Sequence, residues 1–209
     1  MSKNMYRITR FPLFNIFLYY FNVFLVYISY EYKCEYEFSL YIIFLTCMIA
    51  LYAMDFLGAI IHYYLDNYTG NHKIIKQFAH DFQLHHDNPS TIAKFTIVDA
   101  LNQVSTFAFL PFTCFVVNMC LKYNDFTHYV FQLSILMQII VWSLGIFSQV
   151  PHILTHKMNI LSKKERNTFK FRLIAMLQKY HIILNPNNHN IHHKGFDKNY
   201  SVFNGWSTS

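Results

Sequence analysis

Four apolar runs, each close to the length that crosses a bilayer as a helix, limit what this chain can fold into. A hydrocarbon core takes about 20 helical residues. The runs cover approximately residues 11–30, 38–62, 98–121 and 126–150. The first follows Lys3, Arg7 and Arg10 in the manner of a signal peptide. Its apolar stretch is too long for one, however, and Ser29-Tyr30-Glu31 is no small-residue cleavage site. It reads as a retained span. Only 13% of the residues are charged, against about a quarter in soluble domains, so much of the surface faces something other than water.

The formal net charge of +6 could point to nucleic acid. The aromatics sit inside the apolar runs rather than between basic residues, so a membrane surface explains the charge and nucleic acid is not expected. Cys34, Cys47, Cys114 and Cys120 form no CxxC pair and no disulfide framework, and no chemistry is assigned to them. With five Gly and five Pro there is little linker, and one domain is expected over residues 1–209.

Charge sets the orientation. Glu31, Glu35 and Glu37 face Lys33 alone in the first turn, and the turn near Lys122 and Asp125 is almost neutral. Lys157, Lys163, Lys164, Arg166, Lys170 and Arg172 lie on the other side. The positive-inside tendency then puts both termini, the loop 63–97 and the tail 151–209 in the cytosol.

The twelve histidines follow the same division. His62, His72, His80, His85, His86, His152, His156, His181, His189, His192 and His193 all fall on the predicted cytosolic side, and only His128 does not. Residues three or four apart share a helix face. His152 and His156 meet that rule, as do His62 and Asp66, and His189, His192 and His193 form an HxxHH box. The neighbours His85 and His86 can offer one ring to each of two metals. Neutral imidazole is the commonest ligand for transition metals. A set this large exceeds the four ligands of one zinc, so two metals are expected.

HxxxH alone arises by chance as often as it binds metal, and His72, His80 and His128 read as ordinary surface or hydrogen-bonded residues. It is the arrival of several boxes at one face that favours metal. Asp66 reads as a ligand or as a partner that orients an imidazole. Asp55, seven residues before His62, shares its helical stripe and reads as supporting or structural. Asp99 fits either a supporting role or a water boundary.

The segments DFLGAIIHYYLDNYTG (Asp55–Gly70), FQLHHDNP (Phe82–Pro89), HILTH (His152–His156) and LQKYHIILNPNNHNIHHKGFDKNYSVFNGW (Leu177–Trp206) resemble the Kua-type lipid desaturase family, which includes plasmanylethanolamine desaturases and plastid palmitate trans-desaturases. The resemblance implies an all-α integral membrane four-helix bundle with a cytosolic helical cap of His boxes. It implies O2-dependent desaturation of a lipid chain at a non-haem di-iron site. Carried over by position, the ligand candidates are His62, Asp66, His85, His86, His152, His156, His181, His189, His192 and His193.

Some positions depart from the family pattern. Phe95 stands where plasmanylethanolamine desaturases have a further histidine, Asp99 where Glu is usual, and Leu154 where the HILTH box usually has Trp. The plastid branch also lacks the extra histidine. The expected substrate is plasmanylethanolamine, with a plastid-type acyl lipid as the alternative. Neither a GxGxxG fingerprint nor a CxxCH motif is present, so electrons are expected from cytochrome b5 or a ferredoxin. The expected location is the endoplasmic reticulum membrane. A di-iron lipid hydroxylase would use the same site. A metal transporter is a weaker rival, because transport usually needs ionisable groups near the midplane. A family member with a damaged site is a further possibility that Phe95 leaves open.

Overall fold

The computed structural model describes residues 12–33, 37–121, 125–195 and 198–207. Lys3, Arg7, Arg10, Phe11, Cys34, Glu35 and Lys122, used above, lie outside the described residues. Helices in chain order are α1 (Pro12–Lys33), α2 (Leu40–Asp66), α3 (Lys73–Asp87), α4 (Pro89–Ile92), α5 (Ile97–Ser105) and α6 (Phe109–Cys120). They continue as α7 (Asp125–Gly145), α8 (Gln149–Ile160), α9 (Lys163–Arg166), α10 (Phe169–Lys179) and α11 (Pro186–Gly195). No strand occurs among the described residues.

Among the described residues three helical runs are long and apolar enough to cross a membrane: Pro12–Tyr32, Leu40–Asp66 and His128–Ile160. A fourth exists if α5 and α6, bent by 45° at their junction, form one broken span. Two of the expected runs have a helical structure that the runs alone do not show. The run 98–121 is two helices, and the last run extends through His152 and His156 to Ile160 rather than stopping at 150.

Proline accounts for the break in the third run. Pro111 has no N–H for the carbonyl of Phe107, four residues back. The chain tightens instead, with Leu110 N–H donating to Phe107 O at 2.9 Å and Phe107 N–H to Val104 O at 3.0 Å. Pro151 has the same relation to Phe147, and Phe147 N–H turns to Leu144 O at 2.9 Å.

The chain divides into two compact units. Of the described residues, the first comprises those of Asp55–Ala100 and Ser148–Ser207, and the second those of Pro12–Met54 and Leu101–Phe147. In the second unit α1 packs against α6 and α7. Tyr19, Val23, Ala108 and Ile146 form one core cluster, and Val26, Phe131 and Ile135 another. Large apolar side chains point outward, among them Phe14, Phe17, Phe21 and Phe44. Polar ones are held inside: Asn22 donates to Ala108 O at 2.8 Å, and Asn118 donates to Ser29 Oγ at 3.3 Å and to Gln138 Oε1 at 2.9 Å. An exterior of large apolar side chains around an interior that holds polar ones departs from the pattern of a water-soluble bundle. These helices mark a membrane protein.

The first unit carries α3, α4 and α8–α11 with part of α2, around a small core of Ile92, Ala100 and Ile153. Phe95 and Val150 pack on that core. Asp99 caps α5: its Oδ2 accepts from Thr96 N–H at 2.8 Å, and its own N–H donates to Thr96 Oγ1 at 3.2 Å. That is a helix-start role.

Candidate metal centre

Four helices of the first unit deliver the candidate ligands. On α2, His62 and Asp66 lie one turn apart. On α3 the adjacent His85 and His86 occupy the last turn, and on α8 His152 and His156 are again one turn apart. The start of α11 is well defined, because Asn185 Oδ1 accepts from Asn187 N–H at 2.8 Å and Pro186 takes the first helical position. That start fixes where His189, His192 and His193 point.

The side chains form two groups. In one, ligand atoms of His85, His152, His156, His189 and His193 lie within 4.8 Å of one another; in the other, those of His62, Asp66, His86 and His192 do. The neighbours His85 and His86 go to different groups, with ring centroids 4.3 Å apart. HxxHH is divided likewise: His189 and His193, four apart, enter one group and His192 the other.

Within the five-histidine group, His189 Nε2 lies 3.0 Å from His152 Nε2, 2.9 Å from His156 Nε2 and 3.0 Å from His193 Nε2. His152 Nδ1–H donates to Gln149 Oε1 at 3.2 Å, so the Nε2 of the neutral ring is a lone pair aimed inward. Burial first, and then the neighbouring rings, hold His85 and His189 well below the ordinary imidazole range and His193 at about 3. Neutral rings cannot supply protons for every Nε2 contact, and His85 Nε2 is buried with no hydrogen-bond partner.

In the other group, three rings surround one carboxylate oxygen. Asp66 Oδ2 is 3.2 Å from His62 Nε2, 3.2 Å from His86 Nε2 and 3.3 Å from His192 Nε2. His62 Nδ1–H donates to Tyr200 O at 2.8 Å and His192 Nδ1–H donates to Lys198 O at 3.0 Å. With those protons committed, a neutral ring turns a lone pair toward the carboxylate, which repels it unless a cation intervenes.

The spacing also suits a transition metal. Bonds of about 2.1 Å place adjacent nitrogens about 3.0 Å apart in an octahedron and about 3.4 Å apart in a tetrahedron. The His189 contacts match the octahedral value, and outer hydrogen bonds that fix ring tautomers are characteristic of metal-ligating histidine. The residues present fit a pair of metal ions.

Of the ten sequence candidates, His181 is the one that joins neither group. It sits in the turn after α10 with φ of 54°, and its carbonyl accepts from Trp206 Nε1–H at 2.7 Å. His72, His80 and His128 are in neither group either. Gln149, Lys198 and Tyr200 carry the outer hydrogen bonds. The Tyr200 ring also packs on His192, centroids 4.6 Å apart. The other two contribute an amide oxygen and a backbone carbonyl, neither of which leaves a signature in a sequence.

No curated protein and no solved structure matches the chain. The family model described as the lipid desaturase domain matches residues 51–209. That stretch contains both ligand groups and the segment that orients them, and the chain belongs to the lipid desaturase family, the Kua-type family its motifs resemble.

Proposed function

We propose that this protein is an O2-dependent di-iron desaturase that converts plasmanylethanolamine, an ether phospholipid, to the vinyl-ether plasmalogen. The observation that carries the reading is the pair of adjoining groups of convergent nitrogen and carboxylate acceptors. His62, Asp66, His86 and His192 hold one iron, and His85, His152, His156, His189 and His193 hold the other. Bound iron supplies the redox chemistry with O2 that an unactivated C–H bond requires, since acid–base groups have nothing to act on there.

The balance is simple. Two adjacent carbons each lose a hydrogen as the double bond forms, and O2 takes up four electrons to leave as two waters. Two of those electrons come from the lipid and two, with two protons, from an external donor of the cytochrome b5 or ferredoxin type. The chain's own residues orient and protect. Gln149, Lys198 O and Tyr200 O hold the Nδ1–H of three rings, leaving each Nε2 to a metal. Burial of His62, His85, His152, His189 and His192 keeps water from the centre.

The architecture that accompanies this reading is one domain: a four-span bundle with a cytosolic helical cap, both termini cytosolic, in the endoplasmic reticulum membrane. A plastid-type acyl-lipid desaturase is the second reading. Phe95 favours it, because it packs on the core of Ile92, Ala100 and Ile153 and offers no histidine from that position.

The test is lipid analysis of plasmalogen-deficient cells expressing the protein, beside a His192→Ala/His193→Ala control. Acid-labile vinyl-ether phospholipids that appear only with the intact protein support the first reading. A new acyl double bond without vinyl ethers moves the substrate to the acyl branch. A hydroxylated lipid, or no product from an iron-loaded protein, overturns desaturation.

A further inference from the structure

Asp55 lies within an apolar helix and has no exposed surface. A carboxylate there is costly unless its oxygens are fully engaged. They are engaged by a single segment, 201–207. Oδ1 accepts from Ser201 Oγ–H, from Asn204 N–H at 3.0 Å and from Gly205 N–H at 3.4 Å. Oδ2 accepts from Ser207 N–H at 3.0 Å and Ser207 Oγ–H at 2.8 Å.

The same segment is shaped to approach α2. Gly205 has φ of +88°, a backbone that side-chain-bearing residues rarely adopt. Val202 fits against Gly58, where an added Cβ would come 3.2 Å from Val202 Cγ2. Phe203 O accepts from Leu184 N–H at 2.7 Å and fastens the segment at its middle. Immediately before this fastened stretch stand the two carbonyls, Lys198 O and Tyr200 O, that hold His192 and His62. Both rings belong to the group that includes Asp66. The outer hydrogen bond described in the other group comes from Gln149 on α8.

We propose that Asp55 is a positioning residue for one of the two metal sites: by clasping segment 201–207 it aims His62 and His192 at the metal they share with Asp66 and His86. This rests on the two-metal reading above and adds an asymmetry between the sites. Asp55→Asn replaces one acceptor oxygen with a donor that faces donors. Ser207→Ala removes one donor and leaves the backbone ones. Outer hydrogen bonds to a metal site are worth about 10- to 100-fold in affinity.

The experiment uses the full chain in lipid nanodiscs, loaded anaerobically with ferrous iron and challenged with a chelator. Iron per chain is measured beside histidine 15N spectra of the metal-free protein. Asp55→Asn is expected to fall from about two ions to about one, with Ser207→Ala between it and the wild type. The Nδ1–H signatures of His62 and His192 are expected to fade while that of His152 persists. Full iron retention in Asp55→Asn, or loss of both ions together, overturns the proposal. So do His62 and His192 rings that keep their Nδ1–H signatures in Asp55→Asn. Wild type that binds fewer than two ions counts against the two-metal reading, and the spectra of the metal-free proteins then decide for or against Asp55 separately.

Discussion

In the unit that holds Pro12–Met54 and Leu101–Phe147, most buried polar side chains of the described residues meet a partner of the opposite kind. Asn22 gives its amide to a carbonyl, Asn118 gives its own to a hydroxyl and an amide oxygen, and Tyr19 O–H donates to Trp142 O at 2.9 Å. Trp142 Nε1 is buried with only the weakly accepting Cys114 sulfur to meet it. In the unit that holds Asp55–Ala100 and Ser148–Ser207, acceptors outnumber the protons to share: the Nε2 atoms of three rings gather around His189 Nε2, and those of three more around one oxygen of Asp66. Both interiors hold polar side chains. What separates a structural network from a binding site is whether donors and acceptors balance.

That contrast can be broken most severely at its centre. His189→Ala removes the ring that three others approach, and iron-dependent turnover is expected to fall by more than about 100-fold, beyond the usual cost of losing an outer hydrogen bond. Product formation per bound iron, measured by mass spectrometry, checks it. A variant within about threefold of wild type would remove His189 from the ligand set.

Acid separates the units next. The lowered values of His85, His189 and His193, the last at about 3, mean that the unfolded chain binds protons the folded chain refuses. Stability of the metal-free protein is therefore fully present above about pH 6.5 and is lost as pH falls toward about 3. A melting temperature lower by more than about 5 °C at pH 4.5 than at pH 7.5 is expected. A flat profile would contradict a neutral, closely packed histidine cluster.

A smaller effect is expected in the balanced network. Asn118→Leu costs about 1 kcal/mol, in line with measured polar contacts between membrane helices, and leaves iron content unchanged. A thermal melt with parallel metal analysis checks both, and iron loss would end the separation of roles. Smallest of all is His181→Asn, which tolerates the left-handed backbone and should change turnover by less than about twofold. A tenfold loss in the turnover assay would return His181 to the site.

The sequence was most informative where physics acts locally. Apolar runs disclosed the membrane helices, and the three- and four-residue spacings disclosed which histidines share a helix face. Proline is a weaker guide: Pro111 divides the third run, whereas the last run passes through Pro151 and continues as helix. His181 entered through the family pattern, and spacing could not show that a left-handed turn carries it aside. Asp55 was recognisable as a member of the His62 stripe. Its task was not, because its partners lie 146 or more residues away and three of them are backbone N–H groups without a sequence signature.

That separation has a consequence for biosynthesis. While α2 enters the bilayer, the residues that will satisfy Asp55 have not yet been made, and those that receive His62 Nδ1–H come 138 residues later. An unsatisfied aspartate at the middle of a helix costs about 3 kcal/mol at insertion, so the surrounding apolar residues of α2 must be strong enough to carry it in alone. If Asp55 positions the Asp66 group as proposed, that group closes only after synthesis has passed Ser207 and the segment has folded back. A ribosome stalled between Asp66 and Ser201 would leave α2 in the membrane with Asp55 still unsatisfied and His62 without its backbone partner.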